Sequence, residues 1–79
     1  MSMEEIRDIR RKKLLRALAK IPGLSFYAGA RHTKVTCIHN GRVTMVPRHR
    51  MVWAKTLRDI VQQLRAMELF DVDQWLKQL

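Results

Sequence analysis

The sequence predicts a small α+β domain in which a three-stranded antiparallel sheet carries its helices on one face. Two segments with helical spacing of apolar residues flank three short stretches of strand-like composition. The length, 79 residues, fits a single domain spanning residues 1–79. The predicted order is therefore helix, strand, strand, strand, helix, followed by a short C-terminal helix.

The first helix is predicted over residues 4–20, a stretch without Gly or Pro. Ser2 and Glu5 have the spacing of a capping box at its start. Pro22-Gly23 is a typical stop signal. The apolar face of this helix consists of Leu14, Ala17, Leu18 and Ile21.

Three strands are predicted next, over residues 24–28, 32–38 and 42–46. Asn40-Gly41 predicts a two-residue type I′ hairpin between the second and third strands, because that turn needs positive φ at both central positions. Pro47 ends the third strand, since it has no N–H for the ladder. One face of the second strand should present Thr33, Val35 and Cys37.

A basic connection over residues 48–55 leads to a second helix that is predicted to start at about Thr56. Asp71 or Asp73 is expected to cap a last short helix that ends at Leu79. The core stripe of the second helix, at positions i, i+3, i+4 and i+7, consists of Leu57, Ile60, Val61 and Leu64.

Positive charge dominates the middle of the chain. The formal net charge is +9, and residues 9–58 contain 13 Lys or Arg and no Asp or Glu. Such a stretch cannot neutralise itself with internal salt bridges, so a polyanion, above all nucleic acid, is the expected partner. A solvated basic surface is the alternative, notably for Arg10-Arg11-Lys12-Lys13 on the first helix, and an anionic membrane is a weaker one.

Several classes of protein are excluded by what the sequence lacks. No stretch approaches the ~20 apolar residues of a membrane span, and the N-terminus has no secretory signal. The single cysteine, Cys37, precludes an intrachain disulfide and is expected to be a buried thiol, which favours a cytoplasmic location.

The chemistry open to the chain is similarly limited. There is no phosphate-binding Gly-rich loop, no zinc motif and no pair of carboxylates in the basic segment for a two-metal nuclease, so neither a metal nor another cofactor is expected. Cleavage, if it occurs, would act on RNA, whose own 2′-hydroxyl is the nucleophile. Histidine suits the proton transfers of that reaction because it titrates near neutral pH.

Four segments, in this order, resemble the HicA-type mRNA interferase toxins. Gly29-Ala30-Arg31-His32-Thr33-Lys34 is similar to their G-x-x-H-x-K segment, and residues 40–49 resemble their Gly-Arg turn and strand ending in Pro-Arg-His. Residues 57–64 are similar to their closing helix, and residues 13–18 to their first helix. The resemblance covers residues 12–66; residues 1–11 and 67–79 are extensions that could enlarge the core or contact a partner.

The resemblance implies a double-stranded-RNA-binding-like αβββα fold and a toxin that arrests translation by cutting mRNA. It also implies a HicB-type antitoxin as protein partner. The family's catalytic histidine corresponds to His32. The expected RNA contacts, near the hairpin and the N-terminus of the second helix, are Arg31, Lys34, Arg42, Arg48, His49, Arg50 and Lys55.

Some individual assignments stay open at this level. His49 could complete an acid–base pair with His32, contact phosphate or hold its loop, whereas His39 is expected to be exposed and idle. Tyr27 could stack on a base or fill the core, and the core is the favoured position. Trp53 could stack on RNA, pack under the second helix or dock the antitoxin. Two alternatives to the nuclease remain: a non-catalytic RNA-binding module of the same fold, and a basic subunit that binds an acidic protein.

Overall fold

The predicted αβββα order is present, and the structure adds two short strands to it. The computed structural model describes all residues from Met1 to Leu79. The strands are β1 (Ile9–Arg10), β2 (Leu24–Ala28), β3 (His32–Cys37), β4 (Val43–Pro47) and β5 (Met51–Val52). The helices are α1 (Arg11–Ala19), α2 (Ala54–Ala66) and α3 (Val72–Lys77), preceded by one 3₁₀ turn over Met3–Glu5. The predicted order corresponds to α1, β2, β3, β4 and α2, and the added strands are β1 before α1 and β5 before α2.

Strands β2, β3 and β4 form an antiparallel sheet in sequential order. The side chains of β3 and β4 alternate between a buried and an exposed face, because successive residues of a strand point in opposite directions, whereas β2 contributes no buried residue. The inner face includes Thr33, Val35, Cys37, Thr44 and Val46, all buried. The predicted face assignment of the central strand is therefore confirmed, and so is the buried thiol of Cys37.

The core lies between this inner face and the helices. Leu14 and Leu18 of α1 are fully buried, as is most of the predicted stripe of α2. The stripe residues Leu57, Ile60, Val61 and Leu64 all have exposures of 1% or less. The helices thus pack on one face of the sheet, and the prediction of an α+β domain is confirmed.

The N-terminal segment differs from the prediction, because α1 begins at Arg11 and not near residue 4. Residues 9–10 instead pair with β5 as a second, two-stranded sheet. This extended path buries Ile9 and lets Oδ1 of Asp8 accept the N–H of Ala54 at 2.7 Å. Ser2 donates its hydroxyl to Glu5 and caps no helix. Tertiary burial here overrides local helix propensity.

The β3–β4 connection also differs from the predicted two-residue type I′ turn. It is a four-residue loop over residues 38–41, in which the Cys37 N–H donates to the carbonyl of Arg42 at 2.8 Å. Only Gly41 has positive φ, +73°. The Asn40 side chain accepts from the Arg42 N–H and donates to the Met67 carbonyl, which ties the loop to the end of α2.

Helix α2 begins at Ala54, two residues before the predicted start.

The C-terminal extension completes the core. Asp71 caps α3 by accepting the Gln74 N–H. Trp75 of α3 is 7% exposed and donates its Nε1–H to the Ala17 carbonyl at 3.2 Å. The buried residues that this extension contributes are Met67, Val72, Trp75 and Leu76.

The outer face of the sheet carries no helix. Tyr27 lies there with 71% of its surface exposed, so its predicted core position is wrong. The register places Tyr27 across from Lys34 and Lys34 across from Met45, which is also exposed. None of the three helices combines the length and apolar composition needed to cross a bilayer.

Candidate nucleic-acid interface

His32 lies at the start of β3 and lines an open cavity of about 380 Å³. The other lining residues come from the β2–β3 loop and from the segment after β4. They are Ala30, Arg31, Arg48 and His49. The cavity therefore holds two histidines and two arginines, and no carboxylate lines it.

Backbone hydrogen bonds fix the two loops that form this cavity. The Gly29 N–H donates to the His32 carbonyl at 2.9 Å, and the Arg48 N–H donates to the Arg31 carbonyl at 3.0 Å. The Arg48 guanidinium donates to the Gly29 carbonyl at 2.8 Å through Nη1. Arg48 thus positions the β2–β3 loop as well as contributing charge to the cavity.

A second cavity, of about 250 Å³, adjoins the first and shares Arg48 and His49 with it. It lies where the loop after β4 meets the beginning of α1. Its other lining residues are Arg10, Arg11, Lys12 and Arg50. A third groove continues from Arg10 and Lys12 along α1 to Gln78 and Leu79 near the C-terminus.

These cations are not neutralised within the molecule. The only ion pair in the structure joins Arg65 to Asp73, outside the basic segment. The Asp8 carboxylate is engaged by the N–H of Ala54. A connected positive surface therefore extends from the His32 cavity to α1, as expected of a site for a polyanion.

The structure brings together five of the eight residues that the sequence predicts for the site. The three others lie elsewhere on the surface: Lys34 on the outer face of the sheet, Arg42 at the opposite end of β4 from Arg48, and Lys55 in the first turn of α2. The five that line the two cavities are Arg31, His32, Arg48, His49 and Arg50.

The N-terminus of α2 differs from the expected phosphate-facing end of a helix. Asp8 occupies it by accepting the Ala54 N–H, so a carboxylate already complements the partial positive charge of the helix end. Sequence analysis did not decide whether the Arg-Arg-Lys-Lys run faces solvent or a phosphate. In the structure the second cavity is lined by three of these cations, Arg10, Arg11 and Lys12. The run itself is visible in the sequence, but its position beside Arg48 is not, because that position depends on the pairing of β1 with β5.

No group of three or more His, Cys, Asp and Glu side chains is close enough together to hold a metal ion. No protein-family model matches the chain, and no curated protein or solved structure is significantly similar to it.

Gly29 is expected to be sensitive to substitution because it lies against the backbone of His32. A Cβ at this position would lie 3.0 Å from the His32 carbonyl oxygen, closer than Cβ contacts normally are. We predict that Gly29→Ala displaces the start of β3; if His32 acts in RNA cleavage, the cleavage rate should fall by roughly tenfold or more, because small displacements at a reacting centre are costly. The melting temperature should fall by only a few degrees, about 1 kcal/mol at this exposed end of the sheet.

The measurement is the cleavage rate of a labelled RNA by folded Gly29→Ala protein at saturating substrate. Gly41→Ala is the matched control, because Gly41 has no atom within 4 Å of such a Cβ and lies in the distant hairpin loop. Its positive φ makes that substitution mildly destabilising, but the cleavage rate should be retained. If Gly29→Ala cleaves RNA at the wild-type rate, the close contact of Gly29 with the His32 backbone does not position His32.

Proposed function

We propose that the chain is a metal-independent endoribonuclease and that the cavity around His32 is its active site. The observation that carries the proposal is the composition of that cavity, in which His32 and His49 accompany Arg31 and Arg48 without a carboxylate. Imidazole transfers protons near neutral pH, and guanidinium groups bind phosphate through paired N–H donors. Cleavage of RNA by its own 2′-hydroxyl requires both proton transfer and the binding of a phosphate.

In the proposed reaction one histidine removes the proton of the 2′-hydroxyl, whose oxygen then attacks the adjacent phosphorus. The bond from phosphorus to the 5′-oxygen of the next nucleotide breaks as the new bond forms. The second histidine donates a proton to that leaving oxygen. The products are a 2′,3′-cyclic phosphate and a free 5′-hydroxyl, so no water or metal-bound nucleophile enters this step.

The roles follow from position. His32 carries one proton transfer, and His49 is the candidate for the other because it is the second histidine of the same cavity. Arg31 and Arg48 stabilise the additional negative charge on the phosphorus oxygens in the transition state. The Arg48 guanidinium binds the Gly29 carbonyl through Nη1, which leaves its other donors for a phosphate.

The biological role that we propose is that of a HicA-type toxin, which cuts mRNA and is neutralised by a HicB-type antitoxin. This part of the proposal rests on the resemblance of residues 12–66 to that family. The αβββα order of α1, β2, β3, β4 and α2 and the position of His32 beside Gly29 support it. The unneutralised cations near His32 are equally suited to an acidic antitoxin surface.

Induced expression in a bacterial host is the experiment that tests the toxin. We predict that wild-type protein stops growth within a few generations and that mRNA fragments accumulate, because cleavage of messages halts translation. Co-expression of a small neighbouring reading frame that encodes the antitoxin should restore growth. Normal growth with intact mRNA, in cells where the folded protein accumulates, would contradict the proposal and favour the non-catalytic RNA-binding module.

A further inference from the structure

We propose that the cavity at the start of α1 is a second phosphate site, which holds the RNA backbone beside the nucleotide that is cleaved. This inference rests on the proposed function, because it takes RNA as the ligand of the whole basic surface. It adds a binding site outside the His32 cavity, formed by residues from α1 and from the loop after β4. The lining residues that define it are Arg10, Arg11, Lys12 and Arg50.

Arg11 lines this cavity and is fixed there by two hydrogen bonds. Its N–H donates to the Arg50 carbonyl at 2.9 Å, and Nη2 donates to Oγ1 of Thr33 at 2.6 Å. Nε of Arg11 is buried and has no hydrogen-bond partner in the protein. A buried donor without a partner is costly unless a ligand or water satisfies it, and the charged guanidinium increases that cost.

The chemistry of the cavity indicates a phosphate in preference to an apolar ligand. None of its six lining side chains is hydrophobic, and none is acidic. Arginine forks bind phosphate oxygens with two parallel hydrogen bonds. The first turn of α1 contains no acidic residue and has no side-chain cap, so it adds to the positive potential.

The two cavities lie on one path because they share Arg48 and His49. A strand whose reactive phosphate lies at His32 can place a neighbouring phosphate beside Arg10 and Arg50 without leaving the basic surface. The second site should therefore contribute to affinity and to the minimum length of the substrate. It contains no part of His32 and should contribute less to the rate of cleavage at saturating RNA.

The test compares two variants that each remove two positive charges. Arg10→Gln/Arg50→Gln alters the second site through exposed side chains, whereas Arg58→Gln/Lys77→Gln alters exposed positions that line no cavity. The probe is a 2′-O-methyl RNA of about ten nucleotides, which can bind but cannot be cleaved through the 2′-oxygen. We expect the first variant to lose about tenfold in affinity and the second less than threefold. Equal losses would overturn the proposed site.

A set of probes with one neutral methylphosphonate each locates the contact. In wild-type protein, neutralising the phosphate that occupies the second site should weaken binding about as much as the protein substitutions do. In the Arg10→Gln/Arg50→Gln variant, neutralising the same phosphate should lower the affinity little further, because the cations that contact this phosphate are absent. If, at every probe position, the loss of affinity from the neutral linkage adds in full to the loss from the protein substitutions, the proposed site is wrong.

These results can be separated from the proposed nuclease activity. If wild-type protein binds the probe at the second site but does not cleave ordinary RNA, the nuclease fails and the phosphate site stands. If wild-type protein cleaves RNA but the two variants bind the probe equally, the phosphate site fails and the nuclease stands. A melting curve for each variant confirms that the comparison is made on folded protein.

Discussion

Replacing His32 with alanine is expected to lower the rate of RNA cleavage by about 10²–10⁴, the usual contribution of one general acid or base. The side chain is exposed at the start of β3 and takes no part in the core, so the loss should be chemical. RNA affinity should change little, because the arginines of both cavities remain. Toxicity in cells should disappear together with cleavage.

His39 provides the matched control, since it is an exposed histidine in the β3–β4 loop and lines no cavity. His39→Ala should cleave at the wild-type rate, and both variants should melt close to the wild-type temperature. The rates are compared at saturating labelled RNA, so that binding and chemistry are separated. If His32→Ala is folded and cuts as fast as wild type, His32 is not the catalytic residue.

Salt is expected to have the second-largest effect, through the binding of RNA. Six Lys or Arg side chains line the two joined cavities, and the structure pairs none of them with a carboxylate. If each neutralises one phosphate of a single strand, the plot of log affinity against log salt should have a slope of about −4. Affinity should therefore fall by roughly 10²-fold between 50 and 200 mM salt.

The control for this prediction is an oligonucleotide of the same sequence with methylphosphonate linkages throughout. It presents the same bases without charge, so its binding should be weak and nearly independent of salt. A slope shallower than about −1 with the ordinary RNA would mean that phosphate contacts do not drive binding. The electrostatic interpretation of residues 9–58 would then be wrong.

The parts of the fold that could be predicted are those with strong periodic patterns. The apolar stripe of α2 and the alternating pattern of β3 each mark one buried face. Shifting either element by one residue would turn its apolar side chains toward solvent. The bounds of β2 and the cap at Asp71 also agree with the structure, because both have local signals. These elements required no knowledge of distant contacts.

The errors occur where distant contacts decide the conformation. Residues 4–10 have helical composition, but the pairing of β1 with β5 and the bond from Asp8 to Ala54 favour an extended path. The Asn40 side chain is engaged by Met67, which supports a longer loop than the type I′ turn. Tyr27 is of a residue type common in strands, but none of the three helices covers the outer face of the sheet, on which it lies exposed.

The site was partly predictable for the same reason. His32, Arg31 and the Pro47-Arg48-His49 segment are adjacent in the sheet register, so a sequence that defines the strands also brings them together. Arg10 and Arg11 join them only through the second sheet, which has two short strands and no periodic signal. Lys55 was assigned to a helix N-terminus that Asp8 already occupies.

Analysis of the cleavage products tests the central claim most directly. Purified protein, freed of host nuclease and supplied with excess EDTA, is incubated with a 5′-labelled RNA, and the chemical ends of the fragments are identified. The basic segment has no carboxylates to bind Mg²⁺. We predict undiminished cleavage that leaves a 2′,3′-cyclic phosphate and a 5′-hydroxyl, and cleavage slower by about 10²–10⁴ with His32→Ala. Strict dependence on Mg²⁺, or fragments with 5′-phosphate and 3′-hydroxyl ends, would contradict the proposed mechanism.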